Sequence, residues 1–508
     1  MSRKLTAAAL VWTVALMLSR VLGLVRDAVL GQTLGVGIEA DVYAAAFRIP
    51  DLLTHIVSGG ALSIVFILMF TRFSAEGDEE RAWRAFSHVA NFIVGLALLL
   101  MPLLMVGMPW LCAWFFPGFD AEAQAKLVYL SRIVLPAQLF HVLSGLLGAA
   151  LLSKDKHLVP ALAPLIYNLG IILGGWLGGS AEGFAWGVLV GSFLGPFLLP
   201  LVAALRVGLR WQPIFSLRDP DLHAYLRGAL PIMLAFSLVG FDDLVWTHFA
   251  AGSTGDVATL NYAKALMRVP IGVFGFAMGM AAYPELARLY AAERRAEAWA
   301  LLRTAVVRSL VLAFGAQVGL SVAGVEVGTF VYSATRIPPA RLDQLAACLA
   351  VFSLALGPWT VQTLLARGFY ARGLTWVPTL FGTILLVLSL PIYALGARTW
   401  GALGLALASS LAVTAYVFVL YAKLAREVKE GDGVGLDVLK LVVAAAVAFG
   451  VGVIVRGLLP AFNYGRVDAL WRIVVLGLVT SPVFLGVGWA LRVGELRALV
   501  NQVRRRRG

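Results

Sequence analysis

Apolar runs long enough to cross a bilayer recur along the whole chain, separated by short polar stretches. A spanning helix needs roughly 20 mostly apolar residues. On that rule the pattern predicts fourteen segments, over 5–30, 38–72, 84–116, 125–153, 157–178, 184–206, 222–250, 255–288, 300–332, 341–367, 374–396, 399–424, 437–458 and 468–492. Segment 2 stands apart from the others. It carries Arg48, Pro50, Asp51 and His55, with Gly59-Gly60 near its middle, and is expected to be a broken or bent helix lining a cavity. The first run follows Met1-Ser2-Arg3-Lys4 like a signal peptide. It continues past Arg20 and Arg26 without a small-residue cleavage site, and so reads as a retained first helix.

Composition agrees with the pattern. Of 508 residues, 60% are hydrophobic and 14% charged, against about 25% charged in soluble domains. The fold class is therefore an all-α polytopic membrane protein. No polar stretch is long enough for a soluble catalytic domain. Cys112 and Cys348 form neither a disulfide framework nor a CxxC metal site. No nucleotide-binding loop is present, so direct ATP drive is not expected.

The net charge of +13 is read as topology rather than as a nucleic-acid footprint, because basic residues collect on the cytoplasmic side of membrane proteins. With fourteen segments and the N-terminus inside, 28 of the 41 Lys and Arg residues fall in cytoplasmic stretches and six on the opposite side. Both termini are thus expected in the cytoplasm, with the tail Arg504–Arg507 as an inside marker.

Seven basic residues remain inside the spans: Arg20, Arg26, Arg48, Arg132, Lys264, Arg268 and Arg472. Arg132 and Arg472 lie near helix ends and read as snorkelling cations. The other five gather in segments 1, 2 and 8. Asp27 and Asp41 are the anions accompanying them in segments 1 and 2. Arg20 and Asp27 are seven apart and share a helix face. So do Asp41 and Arg48, again seven apart, and Lys264 and Arg268 at i,i+4. A charge at mid-membrane costs about 2.5–3.5 kcal/mol on insertion scales, so it persists when paired or facing a water-filled cavity. Five cations against two anions make a positive lining. That lining suits an anionic substrate, and the arginine fork suits a phosphate. The acidic pair Asp242 and Asp243 in segment 7 has two readings, an ion or proton site and a counter-charge for Lys264 and Arg268. His55 is read as a packing or interfacial residue, and Trp110, Trp114 and Trp400 as interfacial anchors.

Two matches point to duplication. Arg48-Ile49-Pro50 recurs as Arg268-Val269-Pro270 at an offset of 220, and Val159-Pro160 as Val377-Pro378 at 218. Segments 1–6 and 7–12 then form two parallel six-helix lobes about an axis along the membrane normal. The expected domains are an N-lobe over 1–210, a C-lobe over 211–430, and two further helices with a basic tail over 431–508.

The chain resembles the MurJ/MviN lipid II flippases of the MOP exporter superfamily. The resemblance rests on Ser19-Arg20-Val21-Leu22-Gly23-Leu24-Val25-Arg26-Asp27-Ala28, on Ala40-Asp41-Val42-Tyr43 through Phe47-Arg48-Ile49-Pro50, on Tyr262-Ala263-Lys264-Ala265-Leu266-Met267-Arg268-Val269-Pro270, and on Arg367-Gly368-Phe369-Tyr370-Ala371-Arg372. It implies a non-enzymatic flippase of the bacterial cytoplasmic membrane in which two lobes rock around a cationic cavity. The implied cargo is the undecaprenyl-pyrophosphate-linked disaccharide-pentapeptide. By motif position, Arg20, Arg26 and Lys264 resemble the cavity cations, and Asp27 and Asp41 the acidic partners that latch the states. Lys264 keeps the charge of the family's usual arginine but lacks its fork. Where the family has an Arg pair and a Glu, this chain has Thr54-His55 and Gly59. The resemblance further implies no cofactor, with membrane potential, H⁺ or Na⁺ as drivers. Segment 11 has no Asp or Asn, which favours the first two. Expected partners are membrane lipids and cell-wall synthesis proteins, not nucleic acid, and the expected state is a monomer. The competing readings are a translocase of another polyprenyl-linked glycan, a drug or ion antiporter of the superfamily, and a transport-dead scaffold. A positive lining argues against an antiporter for cationic drugs.

Overall fold

A computed structural model of the protein describes residues 3–57, 66, 69–70, 72–73, 76–154, 156, 158–332, 337–374, 376–426 and 434–496. Among these residues every regular element is a helix. The chain packs as two compact units, Met1–Ala258 and Thr259–Gly508.

The first unit opens with α1 (Arg3–Leu34), followed by the short helices α2 (Ile38–Ala45) and α3 (Arg48–Val57). After these come α4 (Glu79–Phe115), α5 (Ala121–Val134), α6 (Ala137–Ser153), α7 (Leu158–Gly178), α8 (Ala181–Ser192), α9 (Leu199–Arg206) and α10 (Pro220–Ala250). Segment 2 is broken, at Ala46 and Phe47, where the chain turns between α2 and α3. Pro50 fits directly after this break. It lies in the first turn of α3, where a missing N–H costs no helical hydrogen bond. Gly59-Gly60, the expected break, lies outside the described residues. Helices α7 and α8 carry glycines at four-residue spacing: Gly170, Gly174 and Gly178 on one, Gly183, Gly187 and Gly191 on the other. The two stripes lie backbone to backbone, so that a Cβ on Gly174 would stand 2.5 Å from the Gly183 carbonyl oxygen. Small residues permit this approach, and close packing rather than hydrophobicity drives helix association in lipid. α7 also packs on α1.

The second unit contains most of α11 (Asp256–Ile271), then α12 (Ala277–Ala291), α13 (Arg295–Val322) and α14 (Gly324–Tyr332). It continues with α15 (Pro339–Leu354), α16 (Leu356–Tyr370), α17 (Trp376–Ala425), α18 (Val434–Leu458) and α19 (Arg466–Ala490). A π turn over Gly272–Phe276 follows Pro270, which removes a backbone donor from the end of α11. α13 is central. Its Leu310, Val318 and Val322 belong to a buried cluster with Leu364 of α16, Leu441 and Ala448 of α18 and Phe484 of α19. The final two helices pack as part of this unit.

Eight described helices are long and apolar enough to cross a membrane, or nine if α15 and α16, bent by 42°, make one span. The expected fourteen is therefore not confirmed. One of the eight, α17, reverses at Gly401, whose φ of 55° lies in the left-handed region that glycine alone enters without strain. Its arms match segments 11 and 12. The segments without a counterpart among the eight or nine are 1, 2, 7 and 8. Three of these, 1, 2 and 8, carry the five cations, and 7 carries the acidic pair. The protein is a multi-pass membrane protein.

Candidate functional site

In the first unit the charges of segments 1, 2 and 7 are held in three clusters. On α1, the Arg26 Nε and Nη2 donate to Asp27 Oδ1 at 2.9 and 2.8 Å. Its Nη1 donates to Asn168 Oδ1 on α7 at 3.2 Å. Asn168 is turned by its own amide, which donates to the Pro164 carbonyl at 2.9 Å. The glycine stripe on the other side of α7 brings this helix close to α8 and leaves its Asn168 side to meet α1. Arg26 therefore keeps its charge beside an acid and an amide. Arg20 is half-buried two turns earlier on the same continuous helix.

Asp41 and Arg48 do not share one helix, because the break at 46–47 intervenes. Asp41 is fully buried, and its carboxylate accepts from Gly255 N at 2.5 Å and Ala258 N at 2.7 Å. It thereby caps the start of α11, satisfying donors that no intrahelical carbonyl reaches. Arg48, 8% exposed, points to α10. Its Nε donates to Thr247 Oγ1 at 3.1 Å and its Nη1 to Asp243 Oδ2 at 3.4 Å, while its guanidinium lies over the Trp246 ring at 4.8 Å. The indole of Trp246 donates to Asp243 Oδ1 at 3.1 Å. Asp243 is thus paired with Arg48. Asp242 is buried beside it. Among the described residues, no group of three His, Cys, Asp or Glu side chains is placed to hold a metal ion.

Where the family's Arg pair would stand, α3 builds a polar network instead. Thr54 Oγ1 donates to Gln138 Oε1 of α6, and Gln138 Nε2 donates to Asp51 Oδ1 at 3.3 Å. The side chain of His55, and Gly59 entirely, lie outside the described residues.

In the second unit Lys264 is 4% exposed, while Arg268, one turn on, is exposed. The i,i+4 pair shares a helix face but not an environment. The Lys264 ammonium stands 4.8 Å from the Trp359 ring centroid and 5.9 Å from that of Phe352. These rings come from α16 and α15, on either side of the bend at Ala355.

A second charged cluster was not anticipated from the sequence. Glu326 of α14 is 0% exposed. It accepts from Arg456 Nε of α18 at 3.0 Å and lies 3.8 Å from Arg472 Nη1 of α19. Arg472, expected to snorkel, is instead 3% exposed, bonded to Asp468 at 3.2 Å and stacked on Phe462 at 4.9 Å. The buried Glu326 and the partly buried Asp468 remove the reason to reach for water. Arg132 is exposed, as the snorkelling reading requires, and donates to the Met105 carbonyl. The signal for Glu326 was present, as a lone acid in the apolar run 300–332. Asn168 was likewise a lone amide in segment 5.

The sequence profile described as lipid II flippase MurJ matches residues 30–474. The chain belongs to the MurJ lipid II flippase family. Among its relatives, a probable lipid II flippase MurJ of Vibrio cholerae serotype O1 is 27% identical over 437 residues, covering 83% of each chain. The lipid II flippase MurJ of Burkholderia cenocepacia is 25% identical over 370 residues, covering 70% of this chain and 71% of its own. The fold is similar to that of a solved lipid II flippase MurJ in an inward closed conformation, with a TM-score of 0.76, 20% identity and coverage of 94% of this chain and 98% of that one. It is also similar to an inward-facing multidrug resistance MATE transporter of the MOP superfamily, with a TM-score of 0.65, 16% identity and coverage of 81% and 96%. The cations Arg20, Arg26, Arg48, Lys264 and Arg268 and the acids Asp27 and Asp41 therefore sit on a MurJ-type chain.

The second unit also carries a largely apolar, partly open groove of about 840 Å³ between α13, α15–α16, α17 and α18, with Leu310, Phe314, Val361, Phe418, Val442 and Phe449 in its wall.

Proposed function

We propose that this chain moves lipid II from the cytoplasmic to the outer leaflet by alternating access around a cationic central cavity. Membership of the MurJ lipid II flippase family over 30–474 carries the reading. The charge chemistry supports it. Arg20, Arg26 and Arg48 on α1 and α3, with Lys264 and Arg268 on α11, are the cations suited to a pyrophosphate. Asp27 and Asp41 act as latches, with Asp41 doing so through the first turn of α11. The apolar groove of the second unit suits a polyisoprenoid tail, whose transfer from water is favourable wherever it meets apolar walls. The 28-to-6 distribution of basic residues supports two cytoplasmic termini in the bacterial inner membrane. The protein works as a monomer without a cofactor, in contact with membrane lipids and cell-wall synthesis proteins. Membrane potential or protons drive it. Asp242, buried beside the Arg48–Asp243 pair, is the acid of segment 7 to test for proton coupling.

The deciding experiment is complementation. Expression of the wild-type chain should rescue cells depleted of their lipid II flippase, and Arg26→Ala at equal membrane level should not. A wild-type chain that inserts normally and gives no rescue would exclude lipid II as its cargo.

A further inference from the structure

The stretch between α9 and α10 has no regular structure, yet side chains of α4 hold it along that helix. Ser87 Oγ accepts from Gln212 N at 3.0 Å. One turn further along α4, the Asn91 amide donates to the Gln212 and Ile214 carbonyls at 2.7 Å each and accepts from the Trp211 indole at 2.8 Å. One turn further again, the Phe215 ring lies 3.7 Å from where a Cβ on Gly95 would stand. The chain then returns. Asp219 Oδ2 lies 3.3 Å from His88 Nε2, and Asp221 pairs with Arg81 at 2.8 Å. The stretch is thus a hairpin-shaped excursion along α4 with Phe215 at its apex, about 12 Å beyond the level of Ser87 at the α-helical rise.

The apex points towards lipid. Before Ser87 on α4 lie Glu79, Glu80, Arg81 and Arg84, and beyond Asn91 runs the uncharged stretch 92–115 of a helix long and apolar enough to cross a membrane. Irregular backbone near lipid needs partners for its polar groups, and Asn91 supplies them for two carbonyls. The outward side chains suit the same place. Trp211, Phe215 and Leu217 are exposed. So are Arg206, Arg210 and Arg218, and among the described residues none of the three forms an ion pair. Arg210 is felt by Glu79, whose own ion pair is with Lys154. Arg72, Arg81 and Arg84 of the same unit each pair with an acid.

We propose that 207–218 is an interfacial hairpin that seats Trp211 and Phe215 at the boundary of headgroups and acyl chains, and that with Arg206 it presents Arg210 and Arg218 to the phosphates of anionic phospholipids. Aromatic rings favour that boundary, and arginines flanking them gain from an anionic leaflet. On the 28-to-6 distribution of basic residues this is the cytoplasmic leaflet. None of the charges assigned to the pyrophosphate takes part, so the surface stands whatever cargo the chain moves.

Native mass spectrometry of the full-length chain, titrated with phosphatidylglycerol or with zwitterionic phosphatidylcholine, reads the headgroup contact. The triple variant Arg206→Gln, Arg210→Gln, Arg218→Gln should weaken retention of phosphatidylglycerol about fivefold for each arginine removed and leave phosphatidylcholine unchanged. Equal retention of phosphatidylglycerol by this variant and wild type overturns the contact. If the triple variant loses both lipids alike, its fold has failed and the three single variants decide. A selective loss of phosphatidylglycerol in them supports the contact, and no selective loss overturns it. Depth is read with a nitroxide on Phe215→Cys in phospholipid vesicles, since Cys112 and Cys348 are buried. It should be more accessible to oxygen than to a water-soluble nickel chelate, the reverse of a nitroxide on Glu76→Cys. The same water-like pattern at both positions overturns the insertion of the apex.

Discussion

Asp41 caps a helix that begins more than two hundred residues after it, through Gly255 N at 2.5 Å and Ala258 N at 2.7 Å. A carboxylate at a helix N-terminus satisfies orphan donors and meets the positive end of the macrodipole. Because the helix so capped is α11, the contact ties segment 2 to the start of the helix that carries Lys264.

Removal of this cap should cost about 0.5–2 kcal/mol of stability, the range measured for N-cap residues. Asp41→Ala should therefore lower the midpoint of thermal unfolding in detergent. Asp41→Asn, which keeps one acceptor oxygen, should lower it less. Equal midpoints for Asp41→Ala and wild type would show that the cap contributes nothing.

Arg48 and Asp243 form the next test. Taking away one partner of a fully buried ion pair costs about 3–5 kcal/mol, and with Asp243 21% exposed the loss here should be smaller. Asp243→Ala should thus be measurably destabilised. The double variant Arg48→Met with Asp243→Leu should recover most of the loss, because it buries no charge. Additive losses across the cycle would mean that the two residues do not act as a pair.

The glycine stripes of α7 and α8 predict a steric result. A Cβ on Gly170 would stand 2.5 Å from the Gly191 Cα, and one on Gly187 2.6 Å from the Gly170 carbonyl oxygen. Backbone cannot yield as a flexible side chain does. Gly187→Val should therefore abolish monodisperse purification, while Gly23→Ala on α1, where no atom lies within 4 Å of the added Cβ, should purify as wild type. Size-exclusion profiles at matched expression give the comparison.

Glu326 predicts the role of the last two helices. Its carboxylate faces Arg456 on α18 and Arg472 on α19. Glu326→Gln removes the charge and keeps the shape, leaving both arginines without this anion. The variant should loosen α18 and α19 from the second unit, read as faster amide hydrogen exchange over 434–458 and 466–490 than in wild type. Unchanged exchange there would assign the cluster no part in holding these helices.

The lesson for reading such a chain comes from particular residues. Arg26 and Asp27 were legible as a charged pair because they are adjacent on one helix. Asp41 and Arg48 were misread as one face because the spacing assumed a continuous helix, whereas Pro50 marks a break whose turn at Ala46 and Phe47 lies between them. Arg472 was misread as a snorkelling cation because its partner, Glu326, lies 146 residues earlier in the chain. Trp359 gave no signal at all, since an aromatic residue near a helix bend has many ordinary uses in a membrane protein.

The sequence by itself determined the helical class, the membrane setting, the family and the positions of the intramembrane charges. The bilayer is a solvent that judges each segment alone: about 20 apolar residues suffice to span it, and any charge within them must be accounted for. Partners were decided only by tertiary structure. Thr247 for Arg48, Asn168 for Arg26, α11 for Asp41 and the Trp359 ring for Lys264 are choices made by which helix faces meet. That depends on glycine stripes, breaks and packing between residues far apart in sequence, and no local pattern encodes it.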